Sequence, residues 1–251
     1  MNLSRAKRQV LLVDAARRIR RAGCWFVDIP RTSSTSIKSE LHAAFGPLFA
    51  KSDGARSRDE LLLRDHLKAR RVRDMVGQRT WSGIFTFTVV RNPWDRMASL
   101  YRYRLRADEI PPELTFTSYV ELLARSRGDG LFHYPAHYMS CIDFITDSHG
   151  EEMVSFIARY ERRAMDLATI SERIGLPRLG ETHLYGTNGG VHYSRYYTPT
   201  TRDIIADMYA DDIERFDYVF QDDEPATRAE GLGAISGFPA VGRRTRPTCS
   251  S

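Results

Sequence analysis

Two short polar segments hold the side chains best suited to chemistry. The first is Arg31-Thr32-Ser33-Ser34-Thr35-Ser36, one guanidinium followed by five consecutive hydroxyl residues. The second joins Arg91 to Ser99, eight residues on, through Asn92-Pro93-Trp94-Asp95-Arg96. Small hydroxyl residues let an anion approach the backbone, their O–H groups donate, and arginine adds charge. Each segment therefore suits a phosphate or a sulfate. A plainer role stands beside this for the first: a Ser/Thr-rich turn also caps helices. It is not a Walker loop, because GxxxxGK[ST] requires glycines, and Ile37 stands where that motif has glycine before Lys38-Ser39.

The flanking sequence says which elements must present these residues. Cys24 to Ile29 is a short apolar, aromatic and β-branched run ending at Pro30, and reads as a buried strand. Ile37, Leu41, Ala44 and Phe45 then recur at helical spacing. Strand, polar loop and helix in that order open many phosphate-binding α/β domains, with the anion on the helix N-terminus. Phe85 to Val90 is the clearest strand, and Pro93 suits the first turn of a following helix. Arg91 then lies at a strand's C-terminal end, where open α/β sheets bind ligands, and Ser99 about two turns along the helix. Residues 115–126 predict another helix and Met153 to Tyr160 a third strand. A helix follows, with Met165, Leu167, Ile170 and Ile174 as its apolar members. Residues 51–80 are mostly helical in pattern and 180–198 form a loop rich in Gly, His and Tyr. From Pro199 one long helix carries Ile204, Ile205, Met208, Tyr209, Ile213 and Phe216.

With these elements in place, the two segments resemble the donor-binding motifs of sulfotransferases that use 3′-phosphoadenosine 5′-phosphosulfate (PAPS). Phe26 to Ser36 is similar to their 5′-phosphosulfate loop, which in the carbohydrate (family 2-like) branch reads close to F-V-H-I-P-K-T-G-G-T-S. Thr88 to Tyr101 is similar to their 3′-phosphate segment. Phe156 to Glu161, and Tyr196-Tyr197-Thr198 followed by Asp212 to Phe220, add further likeness, so the resemblance covers roughly residues 24–220. It implies an α/β fold, a central mostly parallel sheet flanked by helices and akin to P-loop nucleotide kinases. It also implies transfer of a sulfuryl group to a hydroxyl, on a glycan or glycolipid, without a metal. Thr32, Ser33, Ser34, Thr35 and Ser36 would hold the 5′-phosphosulfate, and Arg91 and Ser99 the 3′-phosphate. In the loop near His192 and Tyr193, Arg195 would close over the nucleotide.

The sequence departs from the pattern at four positions. Arg31 stands for the lysine that stabilises the departing phosphate, with a forked rather than point charge. Ser33 and Ser34 stand for two glycines, so both must avoid positive φ or bear strain. Asp28 stands for a common histidine, and its carboxylate must be paired or turned away from the anion loop.

Hydroxyl attack also needs a base, and histidine suits neutral pH. Of His42, His66, His133, His137, His149, His183 and His192, His66 is the favoured one. It precedes Arg91 by 25 residues on a segment returning across the sheet, and glycan-directed members of the family have a histidine near this place. His133 and His137, on a loop that would cover the acceptor, are the alternatives, with Asp65 and Glu161 as carboxylates. Glu161 is expected instead to pair with Arg159 or Arg96.

Bulk properties bound the rest. The 251 residues carry 42% hydrophobic and 27% charged side chains, enough for one sizeable domain. The expected division is a basic helix over 1–23, the main domain over 24–220 and an unstructured tail over 221–251. The net charge of +5 is nearly all arginine, which weakens any argument from basicity alone. A nucleic-acid-binding module is the reading it would otherwise favour, but no helix-turn-helix, zinc-finger or RNP pattern appears. A nucleotide-dependent kinase is the other rival, disfavoured by the missing Walker glycines. The N-terminal helix is expected to pack loosely and offers peripheral contact with an anionic membrane. Met1 to Arg8 lack the order of a secretory signal and no apolar run is long enough to span a bilayer, so a cytoplasmic, bacterial protein is expected. Cys24, Cys141 and Cys249 are too sparse for a disulfide framework or zinc site, and the first two are expected in the core. The acceptor and the oligomeric state are not legible in any motif.

Overall fold

The computed structural model describes residues 5–49, 66–126, 135–177, 179–180 and 191–223. Expectations for residues 50–65, His133, His183, Cys249 and the tail from 224 lie outside these. Chain contacts gather Met1–Gln221 into one compact unit.

Its centre is a three-stranded, all-parallel sheet in the order β1 (Cys24–Val27), β2 (Phe85–Val90), β3 (Phe156–Arg159). Cys24 pairs with Phe85, and Phe87 with Phe156. Parallel neighbours need crossovers, which helices supply. Between β1 and β2 run α2 (Ser34–Phe45), α3 (Ala69–Val76) and α4 (Gln78–Ser82). Between β2 and β3 run α5 (Pro93–Arg106), α6 (Phe116–Arg125) and α7 (Ile142–Ile145). The helix α1 (Arg5–Ala22) precedes the sheet, and α8 (Arg163–Ile174), α9 (Pro199–Met208) and α10 (Ala210–Phe216) follow it.

Helices cover the strands so fully that Cys24, Val27, Phe87, Val89, Val90 and Ala158 are inaccessible or nearly so. That explains the near-continuous apolar runs in the sequence, as in other parallel sheets. Phe26 stacks on Phe87 at 5.2 Å between ring centroids. The threonines inside β2 do not break this core, because their hydroxyls bond locally. Thr88 Oγ1 donates to the Val27 carbonyl at 2.8 Å, and Thr86 Oγ1 meets Ser155 Oγ at 3.1 Å.

Several expectations are corrected. The third strand is shorter than Met153 to Tyr160. Met153 N–H donates to the Ile145 carbonyl and Glu152 bridges to Thr146; the chain bonds β2 from Ser155, whose N–H donates to the Thr86 carbonyl at 2.8 Å, and the paired strand begins at Phe156. The first strand ends at Val27, before Asp28 and Ile29. Met165 is 62% exposed, while Leu167 and Ile170 carry the buried face of α8. The single helix from Pro199 is two, broken at Tyr209 (φ −125°, ψ 32°), whose buried phenol donates to the Tyr138 carbonyl at 3.1 Å. Helix α1 is not loose at its C-terminal half, where Ala15, Ala16 and Ile19 are buried. Its Val10 and Val13 are exposed, at 68% and 59%. Cys24 and Cys141 are buried free thiols, as expected. Among the described residues no helix is long and apolar enough to cross a membrane.

Candidate active site

All three strands point their C-terminal ends to one edge of the sheet, and the chain leaving each contributes to one site. From β1 comes the turn Pro30 to Ser33, which delivers the chain to α2. Ser33 takes the N-cap position at φ 77°, ψ 14°, yet its side chain makes no capping bond. The plain capping role is thus not what this residue does. Of the two serines in the family's glycine positions, Ser33 bears the left-handed conformation and Ser34 is already helical. Arg31 is left-handed as well, at φ 67°. Two adjacent-but-one residues with Cβ atoms in this region store strain, of about 1–2 kcal/mol each.

From β2 comes Arg91, only 3% exposed. Its Nε donates to Asp95 Oδ2 at 2.7 Å and its Nη1 to the carbonyl of Arg31 at 3.0 Å. Nη2 makes no hydrogen bond among the described residues. Asn92 caps α5, accepting from Trp94 N–H at 3.1 Å, with Pro93 in the first turn as expected. From β3 comes Tyr160, whose ring lies 3.8 Å beneath the Arg91 guanidinium.

The two polar segments therefore meet. Arg31 completes the junction: its Nη2 donates to Ser99 Oγ at 3.1 Å and its guanidinium lies 4.6 Å from the Tyr103 ring. Burial, together with the like charge of Arg91, Arg106 and Arg102, pulls Arg31 down to about 10, so it stays protonated at neutral pH. Such a gathering of guanidinium groups, with Asp95 the one carboxylate paired with Arg91 among the described residues, invites an anionic ligand.

Not every expected ligand is available in the way the sequence implied. Thr32 is fully buried and its hydroxyl donates to the Ile29 carbonyl at 2.9 Å, so it holds the turn together. Ser34 and Ser36 are buried and Thr35 half-buried in the first turn of α2. Arg195 is exposed on the short turn Tyr193–Tyr196, which packs on α5, the helix that carries Ser99. Sequence reading missed Arg102. It lies three residues after Ser99, on the same face of α5, with its guanidinium 5.6 Å from the Tyr196 ring. Its Nε is buried without a hydrogen bond among the described residues. The spacing from Ser99 was the available signal.

Beside the anion site sits a second group. Asp28, at the end of β1, is paired as its place required. Its Oδ2 lies 3.1 Å from Lys38 Nζ and 3.2 Å from His66 Nδ1. Burial would raise this carboxyl, but His66 and Lys38 outweigh it and hold it below the usual carboxylate range. For His66, burial opposes the charged form, and the charge and hydrogen bonds of Asp28 outweigh that, so its pKa is raised. His66 is also left-handed, at φ 61°. His137, the alternative base, has its ring 5.7 Å from His66. Burial, with added like charge from His66 and Arg104, pushes it down to about 3.

What brings His137 there is a structural network that the sequence reading also missed. Arg96 donates to the carbonyls of Pro30 (3.1 Å), Met139 (2.8 Å) and His137 (3.5 Å). Asp212, fully buried, accepts from Cys141 N–H at 2.7 Å and Ile142 N–H at 2.9 Å. Neither Arg96 nor Arg159 pairs with Glu161, contrary to expectation. Glu161 accepts from Asn92 N–H at 2.6 Å and from the Tyr218 phenol at 3.3 Å, fastening the turn after β3 to the cap of α5. Arg159 instead donates to the Phe216 carbonyl. A depression of about 340 Å³ between α3, α4 and Glu152 to Ser155 lies at the other end of β2, at Ile84 and Thr86, away from these groups. No cluster of metal-ligating side chains occurs among the described residues.

Comparison with known proteins follows the same span. A family model described as the sulfotransferase family matches residues 20–219. An uncharacterized protein of Archaeoglobus fulgidus is 29% identical over 106 residues, which is 42% of this chain and 80% of that protein. No solved structure matches.

Proposed function

The chain belongs to the sulfotransferase family, and from that premise we propose that it transfers the sulfuryl group of PAPS to a hydroxyl of a carbohydrate or glycoconjugate. One observation carries the reading. Arg91 bonds the backbone of the first polar segment while Arg31 bonds Ser99 of the second, so side chains 60 and 68 residues apart build one cationic seat. A bisphosphorylated adenosine with a sulfuryl group at one end suits that seat, because its two anionic ends need two adjoining cationic walls.

In this reading the 5′-phosphosulfate lies on the N-terminal turn of α2, where peptide N–H groups and the helix dipole favour negative charge. Arg91 and Ser99 hold the 3′-phosphate, with Arg102 and Arg195 adding charge at its outer side. Arg31 stands between the two ends. The acceptor oxygen attacks sulfur in line, the bond from sulfur to the bridging phosphate oxygen breaks, and adenosine 3′,5′-bisphosphate departs. The hydroxyl proton passes to His66. Charge on the departing oxygen is met by groups already in place, so little reorganisation is needed. The likeness to nucleotide kinases belongs to the same proposal, as do a glycan or glycolipid acceptor and peripheral membrane contact through α1.

The test is direct. Adenosine 3′,5′-bisphosphate should raise the melting temperature, and ATP with magnesium should not. Radiolabelled sulfate should pass from PAPS to members of a hydroxyl-acceptor panel. The variant His66→Ala should lose about 10²–10⁴-fold in turnover while keeping bisphosphate affinity. Stabilisation by ATP–magnesium alone would turn the assignment towards phosphoryl transfer.

A further inference from the structure

The base assigned above cannot act unless its proton-accepting nitrogen is fixed, and the surroundings of His66 fix it. Nδ1 faces two oxygens of one residue: the backbone carbonyl of Asp28 at 3.3 Å and its carboxylate Oδ2 at 3.2 Å. A peptide carbonyl only accepts. Nδ1 therefore carries a hydrogen whether the ring is neutral or charged, and the titrating lone pair belongs to Nε2. The same two bonds hold a residue whose φ of 61° lies in the left-handed region, uncommon for a residue with a Cβ.

Among the described residues, three titratable groups from three elements face His66. From the end of β1 comes Asp28, from α2 comes Lys38 against the same carboxylate, and from the turn Pro135–Tyr138 comes His137. His137 stays neutral through the physiological range, so it contributes no change of charge there. One Asp28 oxygen, Oδ1, is buried without a hydrogen bond among the described residues, so the carboxylate is committed through Oδ2 to both Lys38 and His66.

We infer that Asp28 is the positioning residue of this site. Its carboxylate, clamped by Lys38, and its own carbonyl together lock His66 in the tautomer that leaves Nε2 open and support the imidazolium formed when the acceptor's proton arrives. This rests on the reading of His66 as the base. It also gives a role to a residue that stands where related sequences have histidine.

The experiment compares Asp28→Asn, His66→Ala and their double variant in the full chain, with Lys38→Met as the control for packing. Asparagine keeps the shape and an accepting oxygen but removes the charge. Nitrogen-15 histidine spectra should show Nδ1 protonated in the wild type across the titration. Asp28→Asn should lower the His66 pKa by about 1 or more, the effect of losing an opposite charge in contact. The acid limb of the kcat profile should move to lower pH with it, and kcat at pH 7 should fall about 10- to 100-fold, with bisphosphate affinity retained. In the double variant the losses should not multiply, because both act through one imidazole.

A His66 pKa unmoved by Asp28→Asn, a wild-type ring protonated on Nε2, or fully multiplicative losses would each overturn the inference. So would a Lys38→Met variant that reproduces the whole Asp28→Asn effect, since Asp28 would then act only by joining β1 to α2. The spectra do not depend on turnover. Absence of any transfer from PAPS would remove the proposed function and leave the test of Asp28 standing.

Discussion

Arg91 and Arg96 stand five residues apart and are equally buried, at 3% exposure each, yet they do different work. Arg96 directs all three nitrogens of its guanidinium to peptide carbonyls, from Pro30, His137 and Met139, and so ties two distant segments, the turn after β1 and residues 137–139, to α5. Arg91 bonds through Nε and Nη1, rests on Tyr160, and has other guanidinium groups for neighbours. The first is a buried cation fully matched by the fold. The second belongs to a cluster with more positive charge than the described residues around it balance. Buried charge is tolerated when paired and hydrogen-bonded, so the cluster around Arg91 is where the proposed function puts its ligand, and the fully bonded Arg96 belongs to the scaffold around it.

That contrast breaks first, and hardest, at the scaffold. Arg96→Ala would leave three carbonyls short of a donor, that of Pro30 buried and those of His137 and Met139 partly so, and Asp212→Ala two peptide N–H groups short of an acceptor. Each should cost about 3–5 kcal/mol in urea unfolding, with Arg96→Lys recovering only part because one ammonium cannot span three carbonyls. At the ligand site the balance reverses. Arg91→Ala should weaken adenosine 3′,5′-bisphosphate by about 2–4 kcal/mol, or roughly 30- to 1,000-fold in calorimetry, and lose less stability than Arg96→Ala. If Arg91→Ala unfolds the chain and Arg96→Ala only weakens binding, the distinction fails.

Smaller effects sharpen it. The Asp28–His66 pair should give stability a pH signature. Asp28, with a depressed pKa, contributes stability present above its unfolded value near 3.9 and lost as pH falls through its folded value. His66, with a raised pKa, contributes stability present below its unfolded value near 6.5 and lost as pH rises through its folded value. The stability lost in Asp28→Asn should therefore be largest between about pH 4 and 6.5 and shrink on either side; a difference that is flat with pH would refute the pairing. Smallest is the strain in the loop. Ser33→Gly, at φ 77°, should stabilise by up to about 1 kcal/mol, while Ser34→Gly, inside α2, should destabilise by about 0.5–1 kcal/mol.

Much of this was legible along the chain. The strand before each polar segment, Pro93 at the start of α5 and Pro199 at the start of α9 all follow from local patterns, because burial on both faces and helix-start chemistry act over a few residues. Asp28 could be read as a carboxylate needing a partner. Its partners could not, since Lys38 and His66 come from two other segments. Arg96 and Glu161 show the same limit. Charge alone predicts that Glu161 pairs with Arg159 or Arg96; instead Glu161 accepts from a peptide N–H and a phenol, and both arginines donate to carbonyls. The break at Tyr209 was hidden for a related reason: Ile205, Met208 and Ile213 keep helical spacing through it, while the buried bond from its phenol to Tyr138 lies 71 residues away.

The sequence by itself determined that two anion-seeking segments follow buried parallel strands, and so that their arginine and hydroxyl residues emerge at one edge of a sheet. Strand period, turn residues and helix starts are short-range properties, and they suffice for that. Only the tertiary structure decided which arginines the described residues match with acceptors, as they do Arg96, and which they gather together, as they do Arg31 and Arg91. It also decided which nitrogen of His66 holds the hydrogen and which serine bears the left-handed turn. Those outcomes depend on who meets whom across tens of residues in a closely packed interior, and a buried charge takes its role from its neighbours.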